Sequence, residues 1–280
     1  MLQTRRDGAA QPALLIDSHC HIDAAAFDAD RDQVIAAARA AGVAMLVTPA
    51  VRLDNFAAIA ALCRRHQCCA PAWGVHPLYV GRSTPQDLQQ LRQWLQQQRP
   101  VAVGEIGLDR YVEHRDDNAQ MAFFTAQLRL AREFDLPVLL HVRRAVDAVL
   151  QQLRRFGVRR GVAHAFNGSL QQAEAFIKQG FKLGFGGACT HPGASKLRSL
   201  AAQLPLQALV LETDAPDMAP AWRRHQRNDP AQLPRIAQTL AQLRRTSPQE
   251  IAAAAFANTL AALPALAALQ QQTSPANDAV

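Results

Sequence analysis

The sequence predicts an α/β protein folded as a (β/α)8 TIM barrel, with an extra C-terminal helix. Three observations carry this. Eight short apolar runs alternate with longer amphipathic stretches along nearly the whole chain. The runs lack strict polar/apolar alternation, as expected of parallel strands buried on both faces. The polar residues able to do chemistry gather at the C-terminal ends of the runs, which form the catalytic face of such a barrel. Periodicity does not report closure, so a doubly wound open sheet is the alternative.

Taken in order, strands are expected over residues 13–17, 44–48, 70–74, 101–105, 137–141, 161–164, 182–186 and 209–212. Helices are expected between them over 30–41, 53–66, 84–98, 118–134, 144–156, 169–179, 193–203 and 230–245. Gly42 suits the stop of the first. Ser83 or Thr84 followed by Pro85 suits the start of the third. The extra helix, 248–263, opens on a Ser247-Pro-Gln-Glu250 capping box. No Gly-, Pro- or Ser-rich linker divides the chain. A single domain over 13–264 is therefore expected, with residues 1–12 and 265–280 as flexible tails. No internal repeat is evident.

Composition narrows the function classes. The chain has 280 residues, is 49% hydrophobic and 19% charged, and has a formal net charge of +7. This excludes a disordered polyelectrolyte. No apolar run is long enough for a transmembrane helix, so no membrane association is expected. No apolar stretch long enough for a signal h-region follows Arg5 and Arg6 before Asp17, so a secretory signal is not expected either. Five cysteines without C-x-x-C spacing suit reduced thiols in the cytoplasm. Three of the thirty cations are lysines and the rest arginines. Several arginine pairs fall near helix ends, where the helix dipole favours them. The remaining excess points to an anionic partner.

The strand ends carry the chemistry. The first run ends Asp17-Ser-His19-Cys-His21-Ile-Asp23. His19 and His21 are expected to point one way and Cys20 the other, and two imidazoles so placed suit one metal ion. The fourth run ends at Glu105, with Asp109 beyond it, the fifth at His141, the sixth at His164, and the eighth runs through Glu212 to Asp214. Singly these are ordinary. Together they bring four histidines and two carboxylates to one end of a barrel. His19 and His21 are read as ligands of one divalent ion, His141 and His164 of a second, and Glu105 as the bridge. Asp214 is read as a ligand or as the base that takes a proton from the attacking water. Two such ions clamp a phosphoryl displacement and acidify water. No lysine stands at the end of the fourth run to supply a modified-lysine bridge. The cofactors expected are two divalent cations: zinc or manganese by ligand type, magnesium by chemistry.

The ordered set D-S-H-C-H-I-D, G-V-H-P, V-A-V-G-E-I-G-L-D, L-P-V-L-L-H-V-R-R, A-H-A-F-N-G-S and L-E-T-D-A-P-D resembles the TatD family of metal-dependent deoxyribonucleases over residues 14–264. The L-E-T-D-A-P-D-M-A-P segment is most similar to the YjjV-like branch. The resemblance implies a TIM barrel that hydrolyses phosphodiester bonds with divalent metal. Position by position, its ligands fall on His19, His21, Glu105, His141, His164 and Asp214, with Glu105 bridging. The chain departs from the family pattern at Val142 after the ligand His141, at Ala165-Phe-Asn167 and at His191. None of these removes a ligand; they bear on substrate preference.

Further candidates surround this set. His76 and Arg143 are expected to contact substrate, Arg143 by pairing with a phosphate. Asp109 and Glu212 are candidates to orient a histidine. The loop Trp222-Arg223-Arg224-His225-Gln226-Arg227 joins arginines to an aromatic, the ingredients of a single-strand groove. Arg223, Arg224 and Arg227 are therefore expected to contact DNA, with Arg110 and Tyr111 extending the groove. Single-stranded DNA or a DNA end is the expected substrate, and no protein partner is expected. The alternatives are a barrel metallohydrolase of a small ester, amide or phosphodiester, and a metal-binding protein without turnover.

Overall fold

The computed structural model describes residues 14–273. Its eight strands are β1 Leu15–Asp17, β2 Val43–Pro49, β3 Cys69–Trp73, β4 Ala102–Asp109, β5 Val138–Arg143, β6 Gly161–Ala163, β7 Phe181–Phe185 and β8 Leu209–Leu211. All pair in parallel, in sequence order. The seam between β8 and β1 is bridged where the Ser18 N–H donates to the Leu211 carbonyl at 2.9 Å. Asp17 tightens the same seam. Its carboxylate accepts from the Thr213 N–H at 3.0 Å and from the Thr213 hydroxyl at 2.5 Å. The expected barrel is therefore present, with the eight strands at the expected places.

Ten helices lie outside or below the strands among the described residues: α1 Arg31–Ala40, α2 Phe56–Arg65, α3 Pro85–Gln97, α4 Asp117–Glu133, α5 Val146–Phe156, α6 Leu170–Lys178, α7 Ser195–Gln203, α8 Leu233–Arg244, α9 Pro248–Ala262 and α10 Ala265–Thr273. Their starts follow local chemistry. Thr84 and Asp87 form a capping box at α3, and the Ser247 hydroxyl accepts the Glu250 N–H at α9. Gly42, with φ 92°, turns the chain from α1 into β2 in a conformation costly for other residues.

Two apolar layers hold the barrel. Outward-facing strand residues such as Leu46, Val103, Leu140 and Leu183 pack under the helices. Ile16, Met45, Val47, Leu139, Val162 and Val210 fill the interior with Ala262, Leu263 and Leu266. The C-terminal helix pair thus plugs the barrel end opposite the polar strand ends. This corrects the expectation of a tail from residue 265: α10 forms because Leu266, fully buried, completes that plug. The expected tails at 1–12 and 274–280 lie outside the described residues. No single helix among the described residues is long and apolar enough to cross a membrane.

Candidate metal centre

The strand ends converge as expected, but not by simple alternation. β1 stops at Asp17, so His19 and His21 sit in the turn beyond it. That turn brings the two Nε2 atoms within 3.2 Å of each other and sends Cys20 into the apolar core. In β4 the pairing with β5 slips between Val103 and Ile106. The slip changes side-chain parity, so Ala102 joins the barrel interior and Glu105 faces it as well.

Glu105 is the centre of the site and is 2% exposed. Its Oε2 lies 3.2 Å from His19 Nε2 and 3.5 Å from His21 Nε2. Its Oε1 lies 2.9 Å from His141 Nδ1, 3.0 Å from His164 Nε2 and 3.5 Å from His76 Nε2. The two oxygens therefore face separate sets of imidazoles. Asp214 Oδ1 stands 3.7 Å from both His19 Nε2 and His21 Nε2. The ligand atoms of His19, His21 and Asp214 converge, as do those of His19, Glu105 and His164 and those of His76, Glu105 and His141.

The electrostatics follow from burial and crowding. Burial alone would raise the Glu105 carboxyl; the imidazoles of His164, His76 and His19 hold it well below the usual carboxylate range. Burial pushes His19 down to about 3, helped by the ring of His164 stacked on it at 3.9 Å. His164 loses by burial but gains more from Glu105, and rises to about 10. Burial raises the Asp214 carboxyl, while His164 and His21 pull it back.

This donor set fits divalent cations. His19 Nε2 and His21 Nε2 point at each other, and nitrogens of His19, His21, His141 and His164 crowd one carboxylate. Protons satisfy such lone pairs only pairwise, whereas one cation accepts several at once.

Supporting groups fix the side chains of the cluster. Asp109, fully buried, places Oδ2 3.0 Å from His141 Nε2 and accepts the Tyr111 N–H through Oδ1 at 2.8 Å. Glu212, also buried, accepts the Ala165 N–H at 2.5 Å and faces His164 Nδ1 at 3.8 Å. Asp214 has φ 56°, the left-handed region that non-glycine residues seldom occupy. The turn is held by Asn228, fully buried, whose amide donates to the carbonyls of Thr213 and Asp217, both at 2.9 Å. Sequence reasoning did not find Asn228, since nothing around it marks a site.

A cleft of about 1290 Å³ opens over the cluster. His76 and Arg143 line it, as expected. His76 accepts the Leu78 N–H through Nδ1 at 3.1 Å, which leaves Nε2 as its N–H, aimed into the site. The residues of the loop after β8 behave differently. Arg223, Arg224 and Arg227 do not line the cleft. Arg223 pairs with Asp229; Arg227 pairs with both oxygens of Asp30 and covers the Phe27 ring. Trp222 is packed on the core and donates to Gln232 at 2.9 Å. Arg223 and Arg227 are thus held by Asp229 and Asp30, which a phosphate would have to displace, whereas Arg224 is exposed on the loop. The exposed cations and aromatics of the cleft are instead Arg52, Arg110, Tyr111, Arg143 and Arg144, of which sequence reasoning had placed Arg143 in the site and given Arg110 and Tyr111 to the groove.

Comparison with known proteins agrees with this geometry. Residues 16–264 match the family described as TatD related DNase. The chain is 43% identical over 247 residues to the uncharacterized metal-dependent hydrolase YjjV of Escherichia coli K12, covering 87% of this chain and 95% of that protein. The crystal structure of that TatD homolog superposes with a TM-score of 0.86 at 42% identity, covering 89% of this chain and 98% of the other. The chain is 35% identical over 252 residues to a protein of Cronobacter sakazakii named 3'-5' ssDNA/RNA exonuclease TatD, covering 87% of this chain and 95% of that one. The eight-stranded barrel, the carboxylate set among five imidazoles and the match along nearly the whole chain place this protein in the TatD family of metal-dependent hydrolases.

Proposed function

We propose that the protein is a divalent-metal-dependent nuclease that cleaves phosphodiester bonds of single-stranded DNA or of DNA ends. The observation that carries this reading is the division of Glu105, one oxygen toward His19 and His21 and the other toward His141 and His164. His19, His21, Asp214 and Glu105 would hold one cation there, and His141, His164 and Glu105 a second. Zinc, manganese or magnesium held there would supply Lewis acidity and a water acidic enough to attack near neutrality.

The chain's own residues do the rest. Asp214, raised by burial and close to the cluster, takes the proton of the attacking water. His76, kept neutral by burial with its Nε2–H toward the cleft, donates to a phosphate oxygen. The cleft's arginine-bearing wall and the exonuclease name carried by the Cronobacter relative support a nucleic-acid substrate.

The test is hydrolysis by metal-reconstituted protein of labelled single strands, duplexes and a panel of small esters, amides and phosphodiesters, with elemental analysis of the same sample. Cleavage of strands with two divalent ions per chain is the expected result. Turnover of small esters or amides alone would replace the nuclease reading with the small-molecule one.

A further inference from the structure

One wall of the cleft holds two guanidinium groups against a single aromatic ring. Tyr111 follows β4 and is 49% exposed. The Arg143 guanidinium carbon lies 3.6 Å from its ring centroid and that of Arg144 lies 4.6 Å away. All three residues line the cleft. Their countercharge is thin. Arg143 Nη1 is 4.0 Å from Asp109 Oδ2, an oxygen already engaged with His141 Nε2 at 3.0 Å. Arg144 has no carboxylate partner among the described residues.

This is an arrangement prepared for an anion. A free arginine loses rotamer freedom when it binds, and stacking on a ring removes part of that loss in advance. Tyr111 is itself anchored, since its N–H donates to the buried Asp109. Two like charges gathered on one ring repel, and an incoming anion relieves that repulsion. The position also selects the ligand. His141 and Arg143 share one face of β5, separated by about 6.6 Å along the strand. Successive phosphates of a nucleic-acid strand are separated by a similar step.

We propose that Tyr111, Arg143 and Arg144 form a subsite for the phosphate next to the one that is cleaved. The favoured ligand is then a strand carrying at least two phosphates, rather than an isolated diester. This rests on the nuclease reading above for the identity of the cleaved bond, but it is tested by binding alone.

The experiment measures affinity of metal-stripped protein for a short fluorescent thymidine oligonucleotide as salt is varied. Arg144→Gln and Tyr111→Leu should each weaken binding about tenfold, the scale of a lost charge-assisted contact. Each should flatten the salt slope by about 0.7 per lost phosphate contact. Arg154→Gln, at the far end of α5 and outside the cleft, should change neither. Unlabelled thymidine trinucleotide should displace the probe better than inorganic tripolyphosphate. Unaltered affinity and slope in both cleft variants would overturn the subsite even if metal-loaded protein cleaves DNA. Equal displacement by tripolyphosphate would overturn the strand assignment. Strand binding that depends on Tyr111 and Arg144 without strand cleavage would keep the subsite and end the nuclease reading.

Discussion

Glu212 Oε1 lies 3.8 Å from Nδ1 of His164, the ring nitrogen opposite the one that faces Glu105. Both residues are buried, and His164 Nδ1 and Glu212 Oε2 have no hydrogen-bond partner. A histidine that gives one nitrogen to a metal gives the other N–H to a carboxylate, which fixes the ring and its tautomer. Glu212→Gln should therefore weaken divalent-metal affinity about 10–100-fold, read by titrating the metal-free protein. Gly184→Ala provides an independent route, because an added Cβ would lie 2.1 Å from Glu212 Oε2 and must displace it. Wild-type metal affinity in both variants would leave Glu212 as packing only.

Asp214 is the candidate for the proton-accepting role. Asp214→Asn keeps the size of the side chain and its place in the turn held by Asn228. Turnover should fall about 10²–10⁴-fold, as for loss of a general base, while the denaturation midpoint of the metal-free protein changes little. Near-normal turnover in the folded variant would exclude Asp214 from the chemistry.

The fold was legible because buried parallel strands leave unbroken apolar runs, and the candidate site because its chemistry-bearing side chains sit at their ends. His19, His21, Glu105, His141, His164 and Asp214 were all readable for that reason. The cause of two placements was not. His19 and His21 share a side through a turn beyond β1, and Glu105 faces inward through the slip at Val103 to Ile106. Alternation along an ideal strand contains neither. At the loop Trp222 to Arg227, charge composition does not reveal which carboxylate lies across the fold. Asp30 is 197 positions away from Arg227 in sequence yet 2.6 Å from it in space. Leu266 escaped notice because a short alanine-rich segment reads alike as tail or plug.

Asp17 should make the stability of the barrel pH-dependent. It is fully buried, and burial raises its carboxyl from 3.8 to about 7, although hydrogen bonds from Thr213 and His19 oppose the rise. The fold thus favours the protonated form. That contribution to stability is complete below the unfolded value and is lost as pH rises toward 7. Asp17→Asn, which cannot ionise, should gain on the wild type by ~2–4 kcal/mol between pH 4 and pH 7.5. Urea unfolding of both metal-free proteins across that range measures the difference. A gap that does not change with pH would show that Asp17 stays ionised at the seam.

The arginines after β8 should matter to stability and not to substrate. Arg227 pairs with Asp30 at 2.6 and 2.8 Å, donates to the Ala26 carbonyl at 2.6 Å, and lies over the Phe27 ring at 4.6 Å. This ties the loop to the segment before α1, beside the turn that carries His19 and His21. Arg223 is held by Asp229, whose other oxygen accepts the Ala231 N–H at 3.1 Å. Neither guanidinium is free to meet a phosphate without leaving its carboxylate. Arg223→Gln and Arg227→Gln should therefore lower the thermal midpoint while the salt slope of oligonucleotide binding keeps its wild-type value. The opposite pattern is expected of Tyr111→Leu and Arg144→Gln, which touch the cleft and not the loop. The two pairs, measured side by side for melting and for salt dependence, separate a structural fastening from a phosphate contact. A flattened slope in the Arg223 and Arg227 variants would move the nucleic-acid surface back to the loop after β8.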